Sequence, residues 1–419
     1  MNVLQYVLDM GAAVVMPIIV TILGLALGLK LSKAFRSGLT IGIGLTAINL
    51  VIGLMGSAVT PAATAMTERF GLNLTVIDVG WPISAAISFG TNIVPFVFLV
   101  CVALNIIMLT LNWTKTLNID FWNYWHFVLT GALIQYLTGN MVLGVIGAGI
   151  TFIIIMKFAD LSAPLVQKYY DMPGVSLPHT ESVSWAPIAM GLNWVYDRIP
   201  GFRNIDWNNE KIQKRFGLLG ELMMLGLLLG IGLGALAGYD LGKMVVLGVN
   251  MAAVMFILPR MVRILMEGLI PLSEGAKAFM EKRFPGKELY IGLDAAVAVG
   301  SPAVISTSLL MIPITLLLAF ILPGNKILPL VDLATLPFFV LWPVIASKGN
   351  LFRSLITSTI VVTAILYIAT DIAPVFTTMA QATSFTFPEG ATTISSLDGG
   401  AHLVPYIIYK IVGFINGLF

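Results

Sequence analysis

The chain has 419 residues, 58% of them hydrophobic and 11% charged, with a net charge of +2; a soluble domain carries about 25% charged residues. That balance excludes an ordinary soluble domain, and so small a net charge does not imply nucleic-acid binding. The single Cys101 excludes both a disulfide framework within the chain and a cysteine cluster for metal.

The charges are also segregated. No Asp, Glu, Lys or Arg occurs in 79–114, 121–156, 222–239, 244–259 or 295–325. A charge at the bilayer centre costs roughly 2.5–3.5 kcal/mol, and about 20 helical residues cross a hydrocarbon core of about 30 Å. Barrel strands alternate apolar and polar residues, and runs such as 152–156 and 227–231 do not, so the spans are helical.

In chain order, spans are expected at 7–29, 38–56, 93–112, 121–138, 141–157, 217–238, 242–260, 303–322, 327–346 and 354–370. The first carries Asp9 and no small-residue cleavage site, which reads as a retained span rather than a removed signal. Three segments are too broken to be simple spans. One starts at Trp81-Pro82 and breaks at Gly90-Thr91-Asn92 and Pro95. The second runs from Pro164 to Pro200 through Pro173-Gly174, Pro178 and Pro187, and the third from Pro374 to Pro405 through Pro388. Pro removes a backbone donor and Gly weakens a helix, so helical hairpins with polar tips are expected there. Irregular backbone at membrane depth survives only where protein or water satisfies it. Residues 203–215, 260–287 and the group Lys30, Lys33 and Arg36 are basic and would face the cytoplasm, with 260–287 an amphipathic interfacial helix.

A repeat emerges at a spacing of 210 residues. Ala85-Ala86 and Gly90 match Ala295-Ala296 and Gly300, Gly139-Asn140 matches Gly349-Asn350, Ala163-Pro164 matches Ala373-Pro374, and Pro178 matches Pro388. The matches fall on residues that set backbone geometry. Paired broken segments in two halves are the sequence mark of a transporter site.

That pairing singles out Thr91, Asn92, Gln135, His179, Thr180, Glu181, Asp294 and Glu389 as substrate-binding residues. Carboxylates, amides, hydroxyls and imidazoles in an apolar chain suit an uncharged solute rich in hydroxyls. Plainer roles compete with this one. Asn140 and Asn350 fit helix ends, Thr91 a bond back to its own helix, and His126, amid Trp122, Tyr124 and Trp125, an interfacial aromatic belt. Asp371 fits the site or a hairpin cap equally, and Asp398 and His402 are weaker candidates. Gly238-Tyr239-Asp240 and Gly292-Leu293-Asp294 superficially resemble the paired aspartates of intramembrane proteases, but Leu293 stands where that family has Gly. No glycine loop of the nucleotide-hydrolase kind is present.

Taken together, the chain resembles the galactitol family of phosphotransferase enzyme IIC components, in the superfamily that also holds the ascorbate permeases. The resemblance spans essentially the whole chain. It is carried by Val79-Gly80-Trp81-Pro82, Phe89-Gly90-Thr91-Asn92, the stretch from Gly174 to Thr180, and Ile291-Gly292-Leu293-Asp294-Ala295-Ala296. It implies an all-α polytopic protein of the bacterial inner membrane, with ten to eleven transmembrane helices, two re-entrant hairpins and inverted repeats. It further implies a homodimer working as an elevator, with a mobile core at about 80–200 and 290–419 and a dimerisation scaffold at about 1–60 and 210–287. A polyol would be carried for phosphorylation by a cytoplasmic IIB partner, itself supplied by IIA, so the chain is a transporter subunit and not an enzyme. No cofactor or metal is implied. An ion-coupled carrier of the same fold and an intramembrane enzyme are the alternatives.

Overall fold

The computed structural model describes residues 12–71, 75–205, 207, 222–283, 288–329, 331–383, 385, 387 and 392–417. Helix dominates. Helices α1 (Ala12–Ala26), α2 (Leu31–Arg69), α9 (Leu222–Leu236) and α10 (Leu241–Arg283) pack on one another as a bundle. The α9–α10 crossing is close because it is built on glycine: a Cβ on Gly230 would lie 2.6 Å from Gly248 Cα. Small residues let helix backbones approach where lipid offers no hydrophobic drive.

The remaining helices complete the structure. Helices α3 (Trp81–Phe89) and α4 (Val94–Thr110) bend by 97° at the Gly90 break. After them come α5 (Trp125–Thr138), α6 (Met141–Tyr170), α7 (Thr180–Val183) and α8 (Ala186–Tyr196). The second half supplies α11 (Ala296–Val299), α12 (Pro302–Ile321), α13 (Leu336–Phe339), α14 (Leu341–Ala346), α15 (Leu351–Ala382), α16 (Leu397–Ala401) and α17 (Leu403–Ile415). Four of the described helices are long and apolar enough to cross a membrane, or five spans if the bent pair counts as one.

Several expectations need correction. The span expected at 327–346 is broken into a strand, a 3₁₀ turn and the short α13 and α14. Pro337 and Pro343 remove donors there, and Asp332 binds backbone N–H groups of other segments instead of staying out of the way. Pro164 and Pro374 do not start hairpins, because α6 and α15 run through them. The first break comes instead at Asp171, in a left-handed conformation with φ of 53°. Segment 260–283 is not a separate interfacial helix but continues α10.

The fold is also not purely α. Among the described residues six strands, β1 (Val76–Asp78), β2 (Thr116–Asn118), β3 (Val175–Ser176), β4 (Tyr290–Gly292), β5 (Ile327–Leu328) and β6 (Thr393–Ser395), build two parallel sheets. Strands this short carry no readable alternation. One sheet has the order β5-β1-β6 and the other β2-β4-β3. Each central strand comes from one half of the chain and both its flanking strands from the other.

Asp78, closing β1, ties the first sheet together. Its Oδ1 accepts from the N–H groups of Gly80 and Leu397, and its Oδ2 from those of Val331 and Asp332 at 3.0 and 2.9 Å. Asp332 in turn accepts from Trp81 N–H at 2.8 Å and Asp398 N–H at 2.9 Å.

The two ends of the molecule can be traced through contacts. A Cβ on Gly349 would meet the Tyr169 hydroxyl at 2.9 Å and Ala303 at 3.6 Å. The end of α6 and the starts of α12 and α15 therefore share one end. At the other, Gly90 lies against Thr383, and a cavity of about 360 Å³ joins Met66, Phe70 and Leu236 to Leu316 and Phe320. The 39 residues of α2 thus run away from Lys30, Lys33 and Arg36 at the first end.

Candidate functional site

Three of the shortest helices start just beyond strand ends, and each brings a polar group inward. His179 follows β3 and precedes α7, Asp294 lies between β4 and α11, and Asp398 opens α16 after β6. Two of their N-termini are held by local side chains: Ser396 accepts from Gly399 N–H at 2.8 Å, and Asp294 Oδ1 from Ala296 N–H at 2.9 Å. Between them runs α5, packed against α3, α6, α15 and α17. It is buried continuously from Trp125 to Ile134.

The three histidines of the chain converge here. His126 on α5 lies edge-on to His179, with ring centroids 4.9 Å apart, and 4.5 Å from the His402 ring. His179 Nδ1 is 3.8 Å from Glu181 Oε2, and its Nε2 is 3.6 Å from Asp294 Oδ1. His402 Nε2 is 3.4 Å from Asp398 Oδ2. Phe338 stacks on His179 at 5.5 Å, and Trp125 stands edge-on to His402 at 5.9 Å. Trp185 Nε1 donates to Ala401 O at 2.6 Å, joining α8's start to α16.

What separates this cluster from a packed core is its unused bonding capacity. His126 Nδ1, His179 Nδ1, His402 Nδ1, Thr180 Oγ1 and Glu181 Oε1 are all buried with no hydrogen-bond partner. A buried polar group left unpaired costs about 1–3 kcal/mol, and native proteins rarely tolerate several together without a role. The sets His126, Asp398, His402 and His126, His179, Glu181 each offer three ligand atoms within 4.8 Å of one another. Atoms that close can share the hydroxyls of one small solute.

Of the residues singled out from sequence, His179, Thr180, Glu181 and Asp294 come together. Asn92 and Gln135 do not join them. Gln135 Nε2 donates to Asn92 Oδ1 at 3.0 Å, nine residues along α5 from His126 and so about 13 Å away. Thr91 bonds back to Ser88 O at 2.7 Å. Glu389, like Pro388, lies outside the described residues. His126 is not in an interfacial belt: it is 1% exposed, because α5 is enclosed on every side. Asp398 and His402, ranked low from sequence, stand beside it. The missed signal was scarcity. A histidine within the charge-free run 121–156 is a polar group at depth, and only three histidines exist to be explained.

Comparison with known proteins identifies relatives along nearly the whole chain. A family model described as the sugar-specific permease component of the phosphotransferase system, EIIC-GAT, matches residues 6–390. A protein of Escherichia coli (strain K12), whose description as a permease IIC component is provisional, is 40% identical over 396 residues, covering 94% of this chain and 91% of its own. The galactitol-specific EIIC components of Escherichia coli strains K12 and O157:H7 are each 38% identical over 410 residues, covering 98% of this chain and 90% of theirs.

Proposed function

This chain belongs to the sugar-specific permease (EIIC-GAT) family of the phosphotransferase system, and from that premise we propose that it carries a galactitol-like hexitol bound at the three-histidine cluster. As a IIC component it is a sugar-alcohol permease of the bacterial inner membrane. The observation that carries the site assignment is the set of buried imidazole, hydroxyl and carboxylate atoms left without partners around His126.

A hexitol is neutral, and each of its hydroxyls both donates and accepts. Glu181, Asp294 and Asp398 accept from it, Thr180 and the free Nδ1 atoms of the histidines complete its bonds, and Phe338 and Trp125 cover its carbon faces. Asn92 and Gln135 line the approach. Specificity follows because a stereoisomer with one hydroxyl turned away leaves a buried group unpaired again.

Parallel breaks in the two halves support an internal repeat. Asn140 caps α6 and Asn350 caps α15, each after a glycine of positive φ, and Pro164 and Pro374 lie inside those helices. The sheet register refines the repeat. Ser176 pairs with Gly292 as Ser395 pairs with Asp78, so His179 corresponds to Asp398 rather than to Glu389. The site is thus where two related tips meet. The bundle α1, α2, α9 and α10 is the dimerisation scaffold, and the remaining helices are the core that moves as an elevator.

Orientation follows from charge. Lys30, Lys33, Arg36, Lys168, Arg198, Arg203, Lys348 and Arg353 gather at the end where α6 finishes and α15 starts, which is the cytoplasmic end by the positive-inside rule. There a IIB partner, recharged by IIA, phosphorylates the hexitol. The charged ester is repelled by three site carboxylates, which gives direction without a coupling ion. Purified chain in proteoliposomes should accumulate hexitol phosphate only when phosphorylated IIB is present inside. Accumulation that requires a sodium or proton gradient instead would overturn the reading.

A further inference from the structure

We propose that the loop 197–204, at the end of α8, is the docking surface for the phosphorylated IIB component, with Arg198 and Arg203 meeting its acidic, phosphoryl-bearing face. The inference rests on the permease reading above and adds where on this chain the partner sits.

The loop is fixed from behind. Buried Arg353, near the start of α15, donates through one Nη to Asn193 Oδ1 at 3.0 Å and Asp197 Oδ1 at 2.6 Å. Its other Nη reaches the carbonyls of Phe202 and Arg203 at 3.3 and 3.4 Å. Asn350 Nδ2 donates to Ile205 O, and Leu351 N–H to Trp207 O, each at 2.6 Å. Asp197 is thereby consumed by Arg353. The cations in front are left over: Arg198 and Arg203 are exposed and have no carboxylate partner among the described residues. Arg198 lies 3.4 Å over the ring of Trp194, which holds its guanidinium in place.

Around these cations the surface has the composition of a binding hot spot. Trp194 is 58% and Trp207 57% exposed, with Ile199 beside them, and residues 197–204 enclose a concavity of about 190 Å³. Trp and Arg are enriched where interface energy concentrates. A preset loop also spares the partner the cost of ordering it, and a planar guanidinium pairs bidentately with a carboxylate or phosphoryl group. The loop lies at the basic end, on the side where the soluble donor resides. It is joined to His179, Thr180 and Glu181 by the 11 residues of α8, a length of about 16 Å. A partner held there is within reach of the bound hexitol. The exposed tryptophans also suit lipid headgroups, and the test separates the two.

The full chain is reconstituted in proteoliposomes of neutral lipid, with or without phosphatidylglycerol, and phosphorylated IIB is titrated against galactitol phosphorylation. In R198E/R203E the half-saturating IIB concentration should rise at least about tenfold. Galactitol-induced thermal stabilisation, measured without IIB, should be unchanged, and R198Q/R203Q should show a smaller shift in the same direction. An unchanged half-saturation would overturn the proposal. So would a shift confined to vesicles containing phosphatidylglycerol, which would assign the arginines to lipid, or loss of galactitol binding, which would make the loop part of the site. If the unsubstituted chain phosphorylates nothing with IIB at any concentration, the permease reading itself fails.

Discussion

Asp78, closing β1, and Glu181, shortly after β3, are both cut off from solvent, yet their surroundings treat them in opposite ways. Asp78 accepts four backbone N–H groups from three separate segments. Neighbouring Asp332 accepts two more. Glu181 leaves Oε1 unbonded, and each of the three imidazoles around it leaves Nδ1 unbonded as well. Burial alone therefore does not mark a site. A carboxylate whose acceptor positions are filled by the chain is architecture, and one whose positions stay open among other open groups is waiting for a ligand.

The largest effect should come from breaking the filled cluster. In D78N the new amide turns a donor toward backbone N–H groups and removes the charge that four of them share. We expect a loss of about 3–5 kcal/mol, the scale for disrupting a buried charged network. It should appear as a steep drop in melting temperature or in the yield of folded protein. If D78N melts like the parent, the distinction between the two clusters collapses.

Next in size are changes to the open cluster, which should cost binding and not fold. H179A and D294N each remove bonds between a hydroxyl and a charged or strongly polar group, worth about 1.5–3 kcal/mol. Galactitol affinity should fall by roughly 10- to 100-fold or beyond detection, with the ligand-free melting temperature preserved. H402A should behave alike, although it was a minor candidate from sequence. Isothermal titration with normal affinity in H179A and D294N together would sink the site assignment while leaving the family intact.

The two clusters were unequally legible in the sequence. The membrane class, the break at Gly90, and the Gly-Asn and Pro matches at 210 residues were all written in composition and in residues that constrain the backbone. The same holds for His179, Glu181 and Asp294, polar groups stranded beside apolar runs. The strands were not legible, since two or three residues carry no period. Nor was the exchange of strands between the halves of the chain, in which Ser176 pairs with Gly292 and Ser395 with Asp78. His126 was misjudged because its aromatic neighbours suit a headgroup belt as well as they suit a core. Only the packing of α5 between four helices decides which.

Helix caps give a smaller and sharper test of where the site lies. Asn140 accepts from the N–H groups of Val142 and Leu143, and Asn350 from that of Arg353. Replacing either by Ala should cost about 1 kcal/mol, somewhat more for N350A because the bond to Ile205 O goes too. Neither should change galactitol affinity, since both caps lie at helix ends outside the cluster. A loss of binding in N140A with stability intact would shift the site toward the Gly139 end.

The smallest expected effect concerns Gln135. Its amide is tied to Asn92, and the pitch of α5 puts it about 13 Å from His126, so one hexitol held by the histidines does not reach it. Q135A should therefore leave equilibrium affinity within about twofold, a change below 0.5 kcal/mol. The substitution should act on the uptake rate instead, because a group lining the approach is met on the way in. A tenfold loss of affinity would mean that the ligand lies farther along α5 than the histidines, and that the unpartnered nitrogens around His126 serve the core's movement rather than its cargo.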